Sequence, residues 1–129
     1  MAKPLESQPY RAYREAWLHR EEEAARRREQ RRREALEAAR RCAEILVGRF
    51  KVRRVYVFGS VLDPARFHDA SDIDLASEGL PADRTYWHAL DDLWHQLPRG
   101  MSIDLVPLEE ASPALSSRIL SEGRLLAGA

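Results

Sequence analysis

The chain has 129 residues, 44% of them hydrophobic, which is the size of one small domain with a single modest core. One cysteine, Cys42, excludes an internal disulfide. No stretch approaches the roughly 18 consecutive apolar residues that a membrane helix needs. The N-terminal sequence MAKPLESQPY lacks the apolar segment of a signal peptide. We therefore expect a cytoplasmic protein made of one domain and an appendage.

The net charge of zero hides an asymmetry between the two parts of the chain. Residues 1–54 hold 16 Lys and Arg and 9 Asp and Glu, a net charge of +7, whereas residues 55–129 hold 5 and 12, a net charge of −7. A basic segment of this kind can bind nucleic acid or an acidic partner, or dock on the acidic domain of its own or a neighbouring chain. Composition alone does not decide among these.

A long helix is predicted from about Pro9 to Gly48, because this stretch lacks proline and glycine in its interior and is rich in alanine, glutamate, arginine and leucine. Its last third should pack on a core, since apolar residues recur there with helical spacing. These residues are Leu36, Ala39, Ala43 and Leu46. Near the start of the helix lies an aromatic cluster made of Tyr10, Tyr13 and Trp17.

The middle of this helix, HREEEAARRREQRRRE, should be solvated and held by glutamate–arginine pairs three and four apart. A structural helix is the simplest interpretation, and a coiled-coil or partner-docking arm is the next. Binding of RNA or DNA is a third, weakened by eight glutamates between Glu15 and Glu44, which would repel phosphates. We predict that residues 1–49 form this helix and that residues 50–129 form the compact domain.

Short apolar stretches predict strands in the second part of the chain. They are VYVF from Val55, IDLAS from Ile73 and SIDLVPL from Ser102. The segment between the last two predicts a helix, ALSSRIL after Pro113 a second short helix, and GRLLAG a closing strand or tail. This order predicts an α/β (α+β) fold with a mixed sheet and flanking helices.

The helix before the third strand carries aromatic and titratable residues. Trp87 and Trp94 share helical spacing with Leu90 and Leu97, so we expect the tryptophans to anchor the core. His88 and His95 are seven residues apart and should lie on a solvated face rather than bind metal. Cys42 is expected to be an ordinary small core residue.

Three aspartates carry the functional prediction. In a strand, residues two apart project to the same face, so Asp72 and Asp74 should point one way while Ile73 points into the core. Two carboxylates so close repel each other unless a cation neutralises them, and Mg²⁺ favours such oxygen ligands together with substrate phosphates. Asp104 repeats the pattern on another predicted strand. The three acids can therefore converge on a metal–phosphate site.

Gly59 and Ser60 follow the first predicted strand and supply the other half of such a site. Glycine lets the backbone approach a phosphate closely, and a turn at a strand end presents N–H groups and a hydroxyl to phosphate oxygens. Carboxylates, divalent ions and a phosphate-binding turn are the parts that phosphoryl or nucleotidyl transfer requires.

The sequences VYVFGS, SDIDLA and SIDLV, in this order, resemble the signature of the DNA polymerase β nucleotidyltransferase superfamily. Within it, the small size is similar to the minimal nucleotidyltransferases, the MNT antitoxins encoded beside HEPN toxins. The resemblance covers roughly residues 52–126 and leaves the N-terminal helix outside it. It implies an enzyme that transfers AMP from ATP, with Mg²⁺, to a tyrosine of a HEPN ribonuclease and thereby silences this toxin.

The resemblance also implies roles for individual residues. Gly59 and Ser60 would contact the nucleotide phosphates, and Asp72 and Asp74 would bind Mg²⁺. Asp104 would join the metal site and help to orient or deprotonate the attacking hydroxyl. The chain departs from the family pattern after Gly-Ser, where many members have arginine and this chain has Val61, Leu62, Asp63 and Pro64. Arg66 is a candidate to replace the missing arginine.

Two other functions are compatible with the same residues. A non-catalytic module with this fold could neutralise a partner ribonuclease by masking its active site. A nucleotidyltransferase acting on a small molecule such as an aminoglycoside is the other alternative, disfavoured because the chain has no room for a second domain. The N-terminal helix could also form homo-oligomers, or hetero-oligomers with a partner protein.

Overall fold

In a computed structural model, which describes residues 8–128, the N-terminal part of the chain is one continuous helix. Helix α1 spans Gln8–Phe50, 43 residues, or about 65 Å at 1.5 Å per residue. The helix predicted from about Pro9 to Gly48 is thus confirmed, and the first seven residues of the predicted 1–49 segment lie outside the described residues. Helix α1 ends where Lys51 adopts a left-handed backbone conformation, with φ 60°, as is common just after a helix C-terminus.

Four strands form a mixed sheet with the order β3-β2-β1-β4. Strand β1 pairs antiparallel with both β2 and β4, while β2 and β3 run parallel. Helix α2 (Arg84–Trp94) connects the parallel pair, and helix α3 (Pro113–Glu122) leads into the last strand. The strands are β1 (Arg54–Phe58), β2 (Ile73–Glu78), β3 (Ile103–Pro107) and β4 (Arg124–Gly128). The predicted mixed-sheet fold with flanking helices is confirmed, and the closing segment is a strand.

The core lies between one face of the sheet and the C-terminal part of α1. Val55 and Val57 of β1 and Ile73 and Leu75 of β2 are fully buried on this face. The prediction that the last third of α1 packs on a core is confirmed by its fully buried residues, which are Ala35, Ala38, Ala39, Cys42, Ala43 and Leu46. Small side chains dominate this stripe, so the helix can approach the sheet closely.

The first part of α1 extends beyond the domain, and we call residues 9–28 the overhang. Every residue from 9 to 22 is exposed. Ion pairs at i,i+4 follow this part of the helix, including His19–Glu23 at 2.9 Å and Arg27–Glu23 at 3.9 Å. Such exposed pairs add only a few tenths of a kcal/mol each. The predicted solvated segment is confirmed as far as Arg28, whereas Arg31 and Arg32 contact the domain through backbone carbonyls. No helix within residues 8–128 is long and apolar enough to cross a membrane.

The predicted packing of α2 is wrong for its tryptophans. Trp87 is 67% and Trp94 50% exposed, whereas Ala89 and Leu93 are fully buried. The buried face is thus displaced by about one residue, and Tyr86, whose hydroxyl donates to the Leu105 carbonyl at 2.8 Å, lies beside it. Both sets of residues have helical spacing, so periodicity alone could not choose between them.

Candidate active site

The aspartates of the SDID segment lie where β2 begins. Ile73 is fully buried against the core, and the side chain of Asp74 lies on the opposite face of the sheet because successive strand residues alternate. Asp72 precedes the strand and is exposed. This alternation is the one predicted from the sequence.

The sheet brings Asp74 next to residues distant in sequence. In the parallel pairing of β2 with β3, Asp74 is in register with Asp104, so their side chains share one face on adjacent strands about 5 Å apart. In the antiparallel pairing with β1, Asp74 is in register with Phe58. The turn that begins at Gly59 therefore starts beside Asp74.

The aspartates form an uncompensated negative site. Burial, followed by the charges of Asp104 and Asp72, raises the pKa of Asp74 to about 6. Among residues 8–128, no hydrogen bond or ion pair from a neighbouring side chain satisfies these three carboxylates. The site thus has the oxygen donors that a divalent cation prefers, and a cation would relieve their repulsion.

A ready-made metal cluster is nevertheless not formed. Within residues 8–128, no three Asp, Glu, His or Cys side chains are gathered closely enough to hold an ion. The structure brings Asp74 and Asp104 side by side, and Asp72 is close enough for its charge to act on Asp74. Their assignment as metal ligands stays a prediction.

Gly59 occupies a position that admits no side chain. Its φ is 82°, in the left-handed region, and a Cβ atom there would overlap Oδ2 of Asp74 and lie 3.3 Å from its Cγ. Gly59 begins a short 3₁₀ turn, Gly59–Leu62, which is closed by the Asp63 amide donating to the Ser60 carbonyl at 3.0 Å. The Gly-Ser turn and the Asp74 carboxylate therefore pack directly on one another.

This turn forms one wall of a cleft of about 400 Å³, and α3 forms the other. Asp74 lies at the cleft, whereas the exposed Asp72 and Asp104 do not line it. Arg66, the candidate for the missing arginine, is a lining residue. The lining residues are Phe58, Gly59, Ser60, Leu62, Asp63, Arg66, Asp74, Leu115, Arg118, Ile119 and Glu122.

Helix α3 is the part of the cleft that sequence reasoning missed. Its Arg118 lies among the lining residues and forms an exposed ion pair with Glu122 at 3.8 Å. Ser112 caps the helix by accepting from the Leu115 amide at 3.2 Å. The amphipathic spacing of ALSSRIL predicts a helix but not which sheet face it covers, so no local signal pointed to Arg118.

A glycine-serine turn packed on an aspartate pair of a mixed sheet defines a nucleotidyltransferase-type domain. The family model described as polymerase beta, nucleotidyltransferase, matches residues 40–129, and the chain belongs to this family. The predicted resemblance is confirmed. Comparison with curated protein sequences gave no match.

Solved structures similar to this chain include toxin–antitoxin complexes. One, crystallised with AMP-PNP, has a chain 27% identical with a TM-score of 0.50, over 61% of this chain and 63% of that chain. A second is an MntA–HpeT variant with two aspartate-to-glutamate substitutions, at 26% identity and a TM-score of 0.51, with the same coverage. The match thus spans just under two thirds of the length of those chains.

A third structure resembles the chain in fold alone. It is the tri-AMPylated HEPN toxin of Shewanella oneidensis in complex with its MNT antitoxin, at 21% identity and a TM-score of 0.46, over 79% of this chain and 73% of that chain.

Proposed function

We propose that the protein is a Mg²⁺-dependent nucleotidyltransferase that moves a nucleoside monophosphate, AMP from ATP, to a hydroxyl of a partner protein. One observation carries the proposal. The Asp74 carboxylate, in register with Asp104, packs against the Gly59 turn at the edge of a cleft of about 400 Å³. The similarity to a toxin–antitoxin complex crystallised with AMP-PNP supports a nucleotide as the ligand.

The metal would be held by Asp74 and Asp104, with Asp72 as the third carboxylate. A bound Mg²⁺ would neutralise the charge on the phosphates and on the developing transition state. A cation there would offset the repulsion that, together with burial, raises the pKa of Asp74 to about 6.

The phosphates would lie in the cleft between the Gly59 turn and α3. Backbone N–H groups and the Ser60 hydroxyl can donate to phosphate oxygens. The guanidinium groups of Arg66 and Arg118 border the same cleft and can neutralise the triphosphate. In this proposal they replace the arginine that many family members carry directly after Gly-Ser.

The reaction is a displacement at the α-phosphorus. The acceptor oxygen forms a bond to phosphorus as the bond to the bridging oxygen of the β-phosphate breaks, so pyrophosphate leaves with its electron pair. The hydroxyl proton passes to a base, for which Asp104 is the candidate because it is exposed beside Asp74. Asp74, whose carboxylate packs on Gly59, would orient the reacting groups.

The partner would be a HEPN-type toxin, and the protein its antitoxin. Similarity to toxin–antitoxin complexes supports this assignment. The overhang offers a contact surface, since Tyr10, Tyr13 and Trp17 are 45%, 68% and 47% exposed. Exposed aromatic residues of this kind are frequent anchors of protein interfaces, so oligomers with a partner or a second copy would form there.

Transfer of label from [α-³²P]ATP to the toxin encoded beside this protein tests the proposal. Wild-type protein with Mg²⁺ should label the toxin, and Asp74→Asn should lower the rate at least about a hundredfold. Asp69→Asn, in an exposed loop, is the matched control. If Asp74→Asn still protects cells from the toxin and no label is transferred by wild type, the protein masks its partner without catalysis.

A further inference from the structure

An arginine of α1 holds the turn that carries Gly59 and Ser60. Arg32 donates from Nη1 to the carbonyl of Val61 at 3.0 Å. Its Nε and Nη2 donate to the two carboxylate oxygens of Glu29, both at 2.9 Å. The Arg32 side chain is only 17% exposed. Three donors of one planar guanidinium are thus fixed at once, which is a rigid arrangement that lysine cannot reproduce.

The hydrogen bond from Arg32 is made to the buried residue of the turn. Val61 is fully buried and lies one residue after Ser60 in the 3₁₀ turn. Asp63, at the end of the turn, is near enough for its charge to act on Arg32. The guanidinium therefore links the turn to α1 through a hydrogen bond and a favourable charge interaction.

Arg32 contacts the turn from α1, which packs on the sheet face opposite to the one that carries Asp74. It is absent from the cleft lining, whereas Arg66 is part of it. A ligand in the cleft and Arg32 would thus contact the same turn from two sides. Arg32 lies where α1 leaves the domain, three residues before the first fully buried position, Ala35.

We propose that Arg32, held by Glu29, is a positioning residue that sets the conformation of the Gly59–Leu62 turn for phosphate binding. The role of Arg32 in phosphate binding rests on the proposed function, whereas its effect on the conformation of the turn is independent of that function. This helix residue supplies the turn with a guanidinium from outside the Gly-Ser motif, and its bond is to the backbone of the turn rather than to a ligand in the cleft. The N-terminal helix is then part of the nucleotide site and not only an appendage.

The bracing is tested first without any ligand, by hydrogen exchange of the backbone amides of residues 59–63. Arg32→Gln removes the brace and should raise exchange there about tenfold. Arg41→Gln is the matched control, because Arg41 also donates from α1 to a backbone carbonyl, that of Gln96, at 3.0 Å. It should leave the turn unchanged. Equal exchange in the turn of both variants and wild type would overturn the proposal.

The second measurement is the Kd of ATP with Mg²⁺ for the same proteins. Arg32→Gln should weaken binding about tenfold, Arg32→Lys should recover part of this loss through one remaining donor, and Glu29→Gln should weaken binding less than Arg32→Gln. Arg41→Gln should bind as wild type does. Tight binding by Arg32→Gln would refute the role in phosphate binding.

Failure of the proposed function gives a different result from failure of this inference. If wild type binds no nucleotide but exchange in the turn still rises in Arg32→Gln, then the brace exists and the nucleotidyltransferase assignment is wrong. If wild type binds nucleotide and exchange does not rise, then the assignment stands and the brace is wrong.

Discussion

Asp74 of β2 lies in register beside Asp104 of β3, and burial together with this neighbouring charge raises the pKa of Asp74 to about 6. The two carboxylates, from different strands, therefore repel each other when both are ionised. A carboxylate whose pKa is raised by burial and by a neighbouring like charge is typical of functional sites.

Asp74→Asn should stabilise the metal-free protein at pH 7, because it removes a half-buried charge that lies beside two like charges. We expect a gain of about 1 kcal/mol in the free energy of unfolding, after allowing for solvent screening of a partly exposed group. Denaturant unfolding in EDTA measures it, with Asp69→Asn as the control. A loss of stability in Asp74→Asn would mean that the folded protein compensates this charge.

The same group predicts the pH dependence of stability in the absence of metal. The pKa of Asp74 is about 6 in the folded protein against an ordinary value of 3.8, so between these values the folded state keeps a proton that the unfolded state has released. The protonated Asp74 therefore contributes its full share to the free energy of unfolding below about pH 4. This contribution falls as the pH rises through about 6 and is absent at higher pH. The difference in Tm between wild type and Asp74→Asn, followed from pH 4 to 8, should show this trend. A constant difference would contradict it.

Gly59→Ala should destabilise the protein and abolish nucleotide binding. A Cβ at φ 82° is strained, and it would also overlap Asp74 Oδ2, so we expect a cost of about 1–3 kcal/mol. Gly48→Ala is the matched control, because a Cβ at Gly48 meets no atom within 4 Å. It should stabilise α1 by about 0.5–1 kcal/mol. Chemical denaturation and ATP titration of both variants separate the two effects.

Cys42 should be inert in the folded protein. Its side chain is fully buried, and burial raises the pKa of its thiol to about 11. Since the thiolate is the reactive form, an aromatic disulfide reagent should modify Cys42 only as fast as the protein opens. Rapid modification under native conditions would show that α1 separates readily from the sheet.

Under the proposed function, Trp17→Ala should weaken binding of the HEPN-type partner at least about tenfold without changing Tm, because Trp17 is half exposed on the overhang. Trp87→Ala removes another exposed tryptophan, on α2, and serves as the control. Titration calorimetry with the purified toxin distinguishes the two variants. If both variants bind the toxin as tightly as wild type does, the aromatic cluster is not a contact.

Local patterns in the sequence were sufficient to predict the two central strands, β1 and β2. The apolar run that ends at Gly59 and the alternation around Ile73 predicted both strands and the outward direction of Asp74, since these features depend on neighbouring residues only. Contacts between distant segments were not predictable in this way. The periodicity of α2 fits two faces equally well, and tertiary packing chose the one with Leu93 over the one with Trp87 and Trp94.

The same limit applies to the arginines of the site. Arg118 reaches the cleft because α3 crosses the sheet face that carries Asp74, and Arg32 reaches the turn because α1 lies across the opposite face. Neither position has a motif around it. Single residues brought to a site by packing leave no spacing pattern in the chain.

The uninterrupted course of α1 fixes the direction in which the aromatic cluster points. Trp17 and Ala35 are 18 residues apart, about five whole turns, so Trp17 points to the side of the helix axis on which the domain lies. Deleting seven residues between them would shorten the span by about 10 Å and rotate the cluster by only about 20°, whereas deleting five would rotate it by about 140°. Deletions of different length in α1 can therefore test separately whether partner binding depends on the distance of the aromatic cluster from the domain or on the direction in which the cluster points.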